Sequence, residues 1–543
     1  MSLIKADTVL HGGRVWLGID DGFAEAIALW NGKVLATGPE KEIAELIGSG
    51  TKKIDLRGRT ALPGLNDAHQ HMLSVGLGLT EVNLKDAAIK SIDDILSRIK
   101  AQADKAKPGE WIFGRGYDHF QLDVKRHPLR EELDLVAPYN PVYVKRTCGH
   151  MGVANSAALD LAGIDENTPQ PAGGHIESQN GRLTGLMQET AQSLIQDSLP
   201  DYTPDELRAG VREGQRHNLG QGFTSVTDPG VGLRQGYDEW VAYQDTRRDG
   251  ELDIRMHLMP LAEARGWSER AIEMGLMTGD GDEWIRVGPM KLFADGSAGG
   301  RTAAVTSPYE GGDADDLGIL ICSDDEIFER CEEYHRRGYQ VATHAIGDRA
   351  IDQVLEAYER AMGDEIDTTR RHRIEHCGFL RPDQIDRMVR LGVIPAPQAI
   401  FLYEFGDLYI DVLGEERSAA SYPFRTWKDR GLHPSASSDA PVSATSPYAN
   451  IYSMVTRRTN RGTVLGADQA LSVAEALHAY TYDSAYGSFE EDAKGRLVAG
   501  QLADIAVPDR DLFTVDPDEL LEAENDLTIV GGEVRHDRLS ELS

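Results

Sequence analysis

Between residues 223 and 439, short apolar runs recur, each followed by an amphipathic stretch, and this alternation constrains the fold more than any other feature. The runs read as strands at 223–228, 254–260, 287–293, 340–344, 372–377, 393–398 and 433–439. Residues 60–71 supply an earlier strand, which makes eight. Helical patterns fall between them, for example at 206–219, 325–337, 350–362 and 381–391. Strands alternating with helices indicate a parallel sheet in an α/β fold. One strand–helix unit of a (β/α)8 barrel takes about 30 residues, from a typical total of about 250. Most steps from Phe223 onward match that spacing, so the predicted class is α/β, a (β/α)8 TIM-like barrel. The first step is far longer, and residues 73–205 read as an inserted α/β subdomain after the first barrel strand. On the C-terminal face of that strand, the insertion would lie over the mouth of the barrel.

The two ends of the chain resemble each other. Residues 1–60 read as short strands with tight turns, among them the hairpin signal Asn31-Gly32. Strand-like runs at 504–507 and 527–530 and the turn Gly531-Gly532 repeat the pattern near the C-terminus. The predicted division is a small β-sandwich composed of 1–60 and 490–543, with the barrel occupying 61–489.

Composition narrows the setting. A hydrophobic content of 41% supports a sizeable core, and no run approaches 18 uninterrupted apolar residues. The N-terminal stretch does not read as a signal peptide. Cys148, Cys322, Cys331 and Cys377 form no CxxC pair and fit reduced thiols in a cytoplasmic protein. The net charge of −33 opposes binding to nucleic acid or anionic membranes. The expected partner is a small-molecule substrate, with a homodimer as the default assembly.

Chemistry concentrates at strand ends. Residues 63–71 read PGLNDAHQH. On a strand ending at the second histidine, His69 and His71 point to the same side, with Asp67, close enough to hold one metal ion. Neutral imidazole suits zinc and similar ions. Lys291, His344, His376 and Asp439 fall at the C-terminal ends of the fourth, fifth, sixth and eighth strands, the face where barrel active sites lie. His344 and His376 are 32 residues apart, one unit, and His376 and Asp439 are 63 apart, two units.

Five stretches then carry a resemblance: PGLNDAHQH at 63–71, MKLFADGSAGGRTA at 290–303, THAIGDRAID at 343–352, HRIEHC at 372–377 and SSDAPV at 437–442. With the tail at 472–507, the sequence resembles the amidohydrolase superfamily, more narrowly amidohydrolase family 3, which includes N-substituted formamide deformylases. The resemblance implies a barrel flanked by a composite sandwich and a site for one or two zinc ions. It implies that His69, His71 and Asp439 hold the more buried ion and His344 and His376 the more exposed one. Lys291, carboxylated, would bridge them, and Asp439 would also shuttle a proton during hydrolysis of a non-peptide carbon–nitrogen bond, most simply an amide. One departure is Pro508, expected on an edge strand.

Other residues carry further expectations. His150, Arg301 and Asp295 are candidate substrate contacts, although Asp295 also reads as a partner for Lys291, and Arg301 as a loop ion pair with Asp295 or Glu310. Trp111, Tyr117, His119 and Phe120 could wall the mouth. Arg373 and Glu375 read as a structural pair behind the strand, facing away from His376, and His175, His217 and His257 have no ligand-like setting. Two other functions stay open: a one-metal deaminase of a nitrogen heterocycle using Asp348, and a metal-free binding protein.

Overall fold

The computed structural model describes residues 4–85, 88–146, 151–171, 174–262 and 266–540. The chain divides into two compact units, Met1–Val75 with Gly214–Ser543, and Gly76–Glu213. Among the described residues, no helix is long and apolar enough to cross a membrane.

The first unit contains two β-layers built from the chain ends. One sheet orders the strands Lys33–Gly38, Ala26–Trp30, Thr8–His11 and Lys52–Asp55. The other orders Glu533–Asp537, Asn525–Val530, Ile505–Pro508, Thr60–Pro63, Arg14–Gly18 and Gly22–Ala24. Leu10, Ile27 and Val34 pack against Ile505, Leu527 and Ile529 in a shared apolar core. Asn31 and Gly32, at φ 51° and 74°, make the tight turn that this dipeptide favours. Pro508 ends an internal strand, not an edge strand as expected. A register shift against Asn525 accommodates the missing N–H there.

The same unit carries two four-stranded parallel sheets. The first orders Ile285–Val287, Arg255–Pro260, Phe223–Val231 and Leu65–Asp67. The second orders Met290–Phe293, Val341–Ala345, Arg373–His376 and Ile394–Ala396. The single strand expected at 287–293 is therefore two strands in different sheets. Pro289 has no N–H to continue the ladder, and the Gly288 amide turns to the Leu258 carbonyl at 2.7 Å. An isolated parallel bridge joins Leu261 to Lys291.

The expected first strand is also broken. Thr60–Pro63 belongs to the terminal sheet and Leu65–Asp67 to the parallel one. Gly64 sits between them because a Cβ there would lie 2.1 Å from Thr224 Oγ1. The eighth segment, 433–439, forms no strand. Pro395 and Pro397, beside it, cannot donate, and its own Ser438 amide goes to the Asp67 carboxylate. It is held by Ser435 N–H to the Pro395 carbonyl at 3.0 Å, and by Asp439 N–H to the His69 carbonyl at 2.7 Å.

The second unit, Gly76–Glu213, is a six-stranded mixed sheet of Gly174–Gln179, Arg182–Glu189, Met151–Ala154, Val142–Arg146, Ile112–Tyr117 and Val82–Asn83. The helices Ile92–Ala103 and Arg130–Val136 cover one face, with Ile95, Ile99 and Leu133 fully buried. Tyr117, His119 and His127 cluster inside this unit, Phe120 is exposed, and Trp111 stacks on Phe113.

Candidate metal centre

The histidine pair does not lie on a strand, which ends at Asp67. The Asp67 carboxylate accepts the His69 amide at 3.2 Å and turns the chain there. The turn still sends both imidazoles one way and Gln70 the other. The Gln70 side chain donates to Asp67 Oδ2 and exchanges hydrogen bonds with Asn218. Ser438 donates to Asp67 Oδ2 at 2.6 Å, so Asp67 ties the histidine turn to the segment bearing Asp439. It is a brace and not a ligand, and burial raises its pKa to about 6 despite these donors.

His69, His71 and Asp439 converge, with one potential ligand atom of each within 4.8 Å of the others. Nε2 of His69 and Nε2 of His71 each lie 3.3 Å from Asp439 Oδ1. Two ligands of a tetrahedral ion at about 2.0–2.1 Å stand about 3.4 Å apart, which matches. His69 Nδ1 lies 2.5 Å from Glu375 Oε2 and donates to it. In the neutral ring, Nε2 is then a lone pair facing a carboxylate, an arrangement that calls for a cation between them. Burial and Lys291 lower the His69 pKa, yet Asp439 and Glu375 outweigh them and raise it. Burial would raise the Asp439 carboxyl, but the two histidines hold it well below the usual carboxylate range. Asp439 Oδ2 has no hydrogen-bond partner among the described residues.

Glu375 faces into the site, so the expectation that it lies behind the strand is wrong. Arg373 grips it with contacts of 2.7 and 3.0 Å and also donates to the Ala68 carbonyl at 2.9 Å. Simple alternation fails because His376 and Cys377 take φ of 68° and 50°, which re-aims His376 to the side of Glu375. Asp439 has φ 57° as well. Two candidate ligands thus sit in strained backbone, as functional groups often do.

His344 and His376 form a second group. Their ring centroids are 4.3 Å apart, and His376 is 4.8 Å from His69. His344 Nε2 faces the Gly296 carbonyl at 3.1 Å and Asp295 at 3.3 Å. His376 Nδ1 is 2.8 Å from Gln398 Oε1. Burial, then His344, pushes the His376 pKa well below its ordinary value.

Lys291 is 1% exposed. Its ammonium makes no hydrogen bond or ion pair among the described residues, and the Phe293 ring lies 5.0 Å away. Burial lowers its pKa to about 8, against the pull of Glu375 and Asp439. Asp295 does not pair with it and is not open to a substrate. Its carboxylate accepts the amides of Ala304, Ile346 and Gly347, fixing two loops. The Arg301 guanidinium is committed to Asp316 and the Glu310 carbonyl, so it offers no free fork. His150 and Cys148 lie outside the described residues. Asp348 accepts from Thr306 and Arg381, a helix-start anchor and not a poised acid.

Sequence reasoning assigned no role to Gln398 or Gly230. Gln398 had a signal, a buried amide closing an apolar strand at the histidine rim. Gly230 had none, since only the fold shows that a Cβ there would lie 2.6 Å from His71 Nδ1.

The model of the amidohydrolase family matches residues 52–536. The chain belongs to the amidohydrolase family. YtcJ of Bacillus subtilis is 30% identical over 544 residues, covering 98% of this chain and 99% of that protein. The N-substituted formamide deformylase of Arthrobacter pascens is 28% identical, covering 95% of each. The crystal structure of an uncharacterized metal-dependent hydrolase from Pyrococcus furiosus aligns with a TM-score of 0.77 at 29% identity, over 93% of this chain and 100% of that one. The family membership agrees with the motifs that first pointed to it.

Proposed function

We propose that this amidohydrolase is a metal-dependent hydrolase of a non-peptide carbon–nitrogen bond, most simply an amide. One observation carries the reading: three lone-pair donors, His69, His71 and Asp439, converge beside a buried lysine that makes no hydrogen bond or ion pair among the described residues. We read the two parallel sheets and segment 435–439 as one ring of eight positions, with Ile285–Val287 and Met290–Phe293 sharing one of them and the ligands at the C-terminal rim.

The donor set, imidazole nitrogen and carboxylate oxygen, suits zinc. His69, His71 and Asp439 would hold one ion, and His344 and His376 a second. Lys291 would join the two as a carbamate, since a free ammonium repels cations whereas a carbamate supplies two anionic oxygens. A depressed lysine pKa favours that modification. When bound, such an ion lowers the pKa of water and polarises a carbonyl. The chain's own contribution is Asp439. Its free oxygen takes a proton from the attacking water and passes it to the leaving nitrogen as the C–N bond breaks and the new C–O bond forms. Glu375 keeps His69 in the tautomer that presents Nε2.

The deaminase alternative relies on Asp348, which is engaged elsewhere. A metal-free binding protein would not need all six donors. The relative named as a deformylase makes N-formyl and N-acyl amines the first substrates to screen. Release of a carboxylate and an amine supports the reading, and ammonia from a ring overturns it. Metal analysis of Lys291→Ala beside wild type tests the bridge. Two ions falling to one or none supports it, and an unchanged count removes it.

A further inference from the structure

We propose that Gln398 is a positioning residue that locks His376 as its Nδ1–H tautomer and reserves Nε2 for the second cation. The inference rests on the two-ion reading, but its structural basis is a closed hydrogen-bond network that contains no metal. Gln398 is fully buried just past the strand Ile394–Ala396. Its amide nitrogen donates to the Ala396 carbonyl at 3.1 Å and to Ser437 Oγ at 2.9 Å. The Ser437 hydroxyl spends its own hydrogen on the Pro397 carbonyl at 2.9 Å. Ser437 can therefore only accept from Gln398. A flipped amide would set two oxygens against its oxygen, so the orientation is determined by its partners. Oε1 then faces His376 Nδ1 at 2.8 Å as an acceptor, and Nδ1 must carry the proton.

The partner histidine is set the opposite way. His344 Nε2 faces two acceptors, the Gly296 carbonyl and Asp295, so its proton sits on Nε2 and its lone pair on Nδ1. The two imidazoles thus present complementary nitrogens across 4.3 Å between ring centroids. Gln398 supplies no charge to His376, unlike Glu375 behind His69, so it acts on His376 through orientation alone. Orienting partners of this kind are typically worth about 10–100-fold in metal affinity.

The test is equilibrium dialysis against Zn2+ and Co2+, with metal analysis and the cobalt visible spectrum, on wild type, Gln398→Leu and Gln398→Glu. Gln398→Leu is expected to keep the first ion and lose about 10–100-fold in affinity for the second. Gln398→Glu, which must keep a proton on the oxygen that meets the Ala396 carbonyl and so presents a neutral acceptor to Nδ1, is expected to bind the second ion about as tightly as wild type. Wild-type affinity for both ions in Gln398→Leu overturns the proposal. If Gln398→Leu does not fold, Gln398→Asn replaces it, since the shorter side chain withdraws the acceptor and should lose the second ion likewise. If wild type binds no ion at all, the hydrolase reading fails, yet Gln398 is still tested. The nitrogen NMR shifts of 15N-histidine-labelled protein should show His376 protonated at Nδ1, and protonation at Nε2 would sink the idea.

Discussion

The two halves of the candidate site are braced by different physics. Behind His69 stands a charged chain, in which Glu375 accepts a hydrogen bond from Nδ1–H and Arg373 holds Glu375 through both oxygens. Behind His376 stands a neutral amide, and behind His344 a backbone carbonyl with Asp295 near it. An anionic partner raises the basicity of the imidazole it orients, whereas an amide fixes direction with little change in basicity. Burial sharpens the contrast. Glu375 and Arg373 are both fully buried, and Arg373, His69 and Lys291 hold the Glu375 carboxyl far below its ordinary pKa although burial opposes this. The difference teaches that the two histidine groups are oriented by unlike partners, a buried ion pair behind His69 and an uncharged amide behind His376.

The largest effect should follow from making the halves alike. Glu375→Gln gives His69 the same neutral partner that His376 has, and it leaves the Arg373 guanidinium buried without its counter-charge. Removing one member of a buried pair costs about 3–5 kcal/mol. The expected outcome is a stability loss of that order in denaturant titration, with first-ion affinity falling as well. Unchanged stability and unchanged first-ion affinity in Glu375→Gln would break the comparison.

How much of this was legible beforehand follows the same divide. The convergence of His69, His71 and Asp439 could be read from the motifs that carry them, although neither the histidine pair nor Asp439 lies on a strand as expected. What lay hidden was set by backbone departures. The alternation rule put Glu375 on the side away from His376, but the left-handed conformation at His376 brought His376 to the side of Glu375. The eighth strand was expected from its apolar-to-small pattern, yet prolines in its neighbour denied it a ladder. Asp295 and Arg301 looked available for a substrate because a sequence does not display the three amides and the carboxylate that occupy them.

A middle-sized effect tests the first half by geometry alone. Gly230 has no left-handed backbone to defend, but a Cβ there would lie 2.6 Å from His71 Nδ1 and 2.8 Å from its Cε1. Gly230→Ala must therefore push the His71 ring, leaving every charge in place. Displacing a catalytic group by about 1 Å can cost about a hundredfold in rate. Turnover is expected to fall by up to about that factor, with second-ion affinity unchanged. A loss of both ions together would mean that the halves do not act separately.

The smallest effect on the site, and the clearest on stability, concerns a histidine with no brace at all. His257 is buried, and neither ring nitrogen has a hydrogen-bond partner among the described residues. Burial lowers its pKa to about 3, with Glu490 pulling upward and Arg373, Lys494 and Arg286 downward. Below about pH 6.5 the unfolded chain takes up a proton that the folded chain refuses. The contribution of this group to stability is thus present above that pH and is lost as pH falls toward 3, at about 1.4 kcal/mol per unit. His257→Leu removes the penalty while keeping an apolar group of similar bulk. At pH 7.5 the variant should match wild type in metal content and turnover, and in acid its denaturation midpoint should exceed that of wild type by a growing margin. If acid stability is unchanged, His257 gains a proton in the folded state, and burial without a partner is not what separates it from His69.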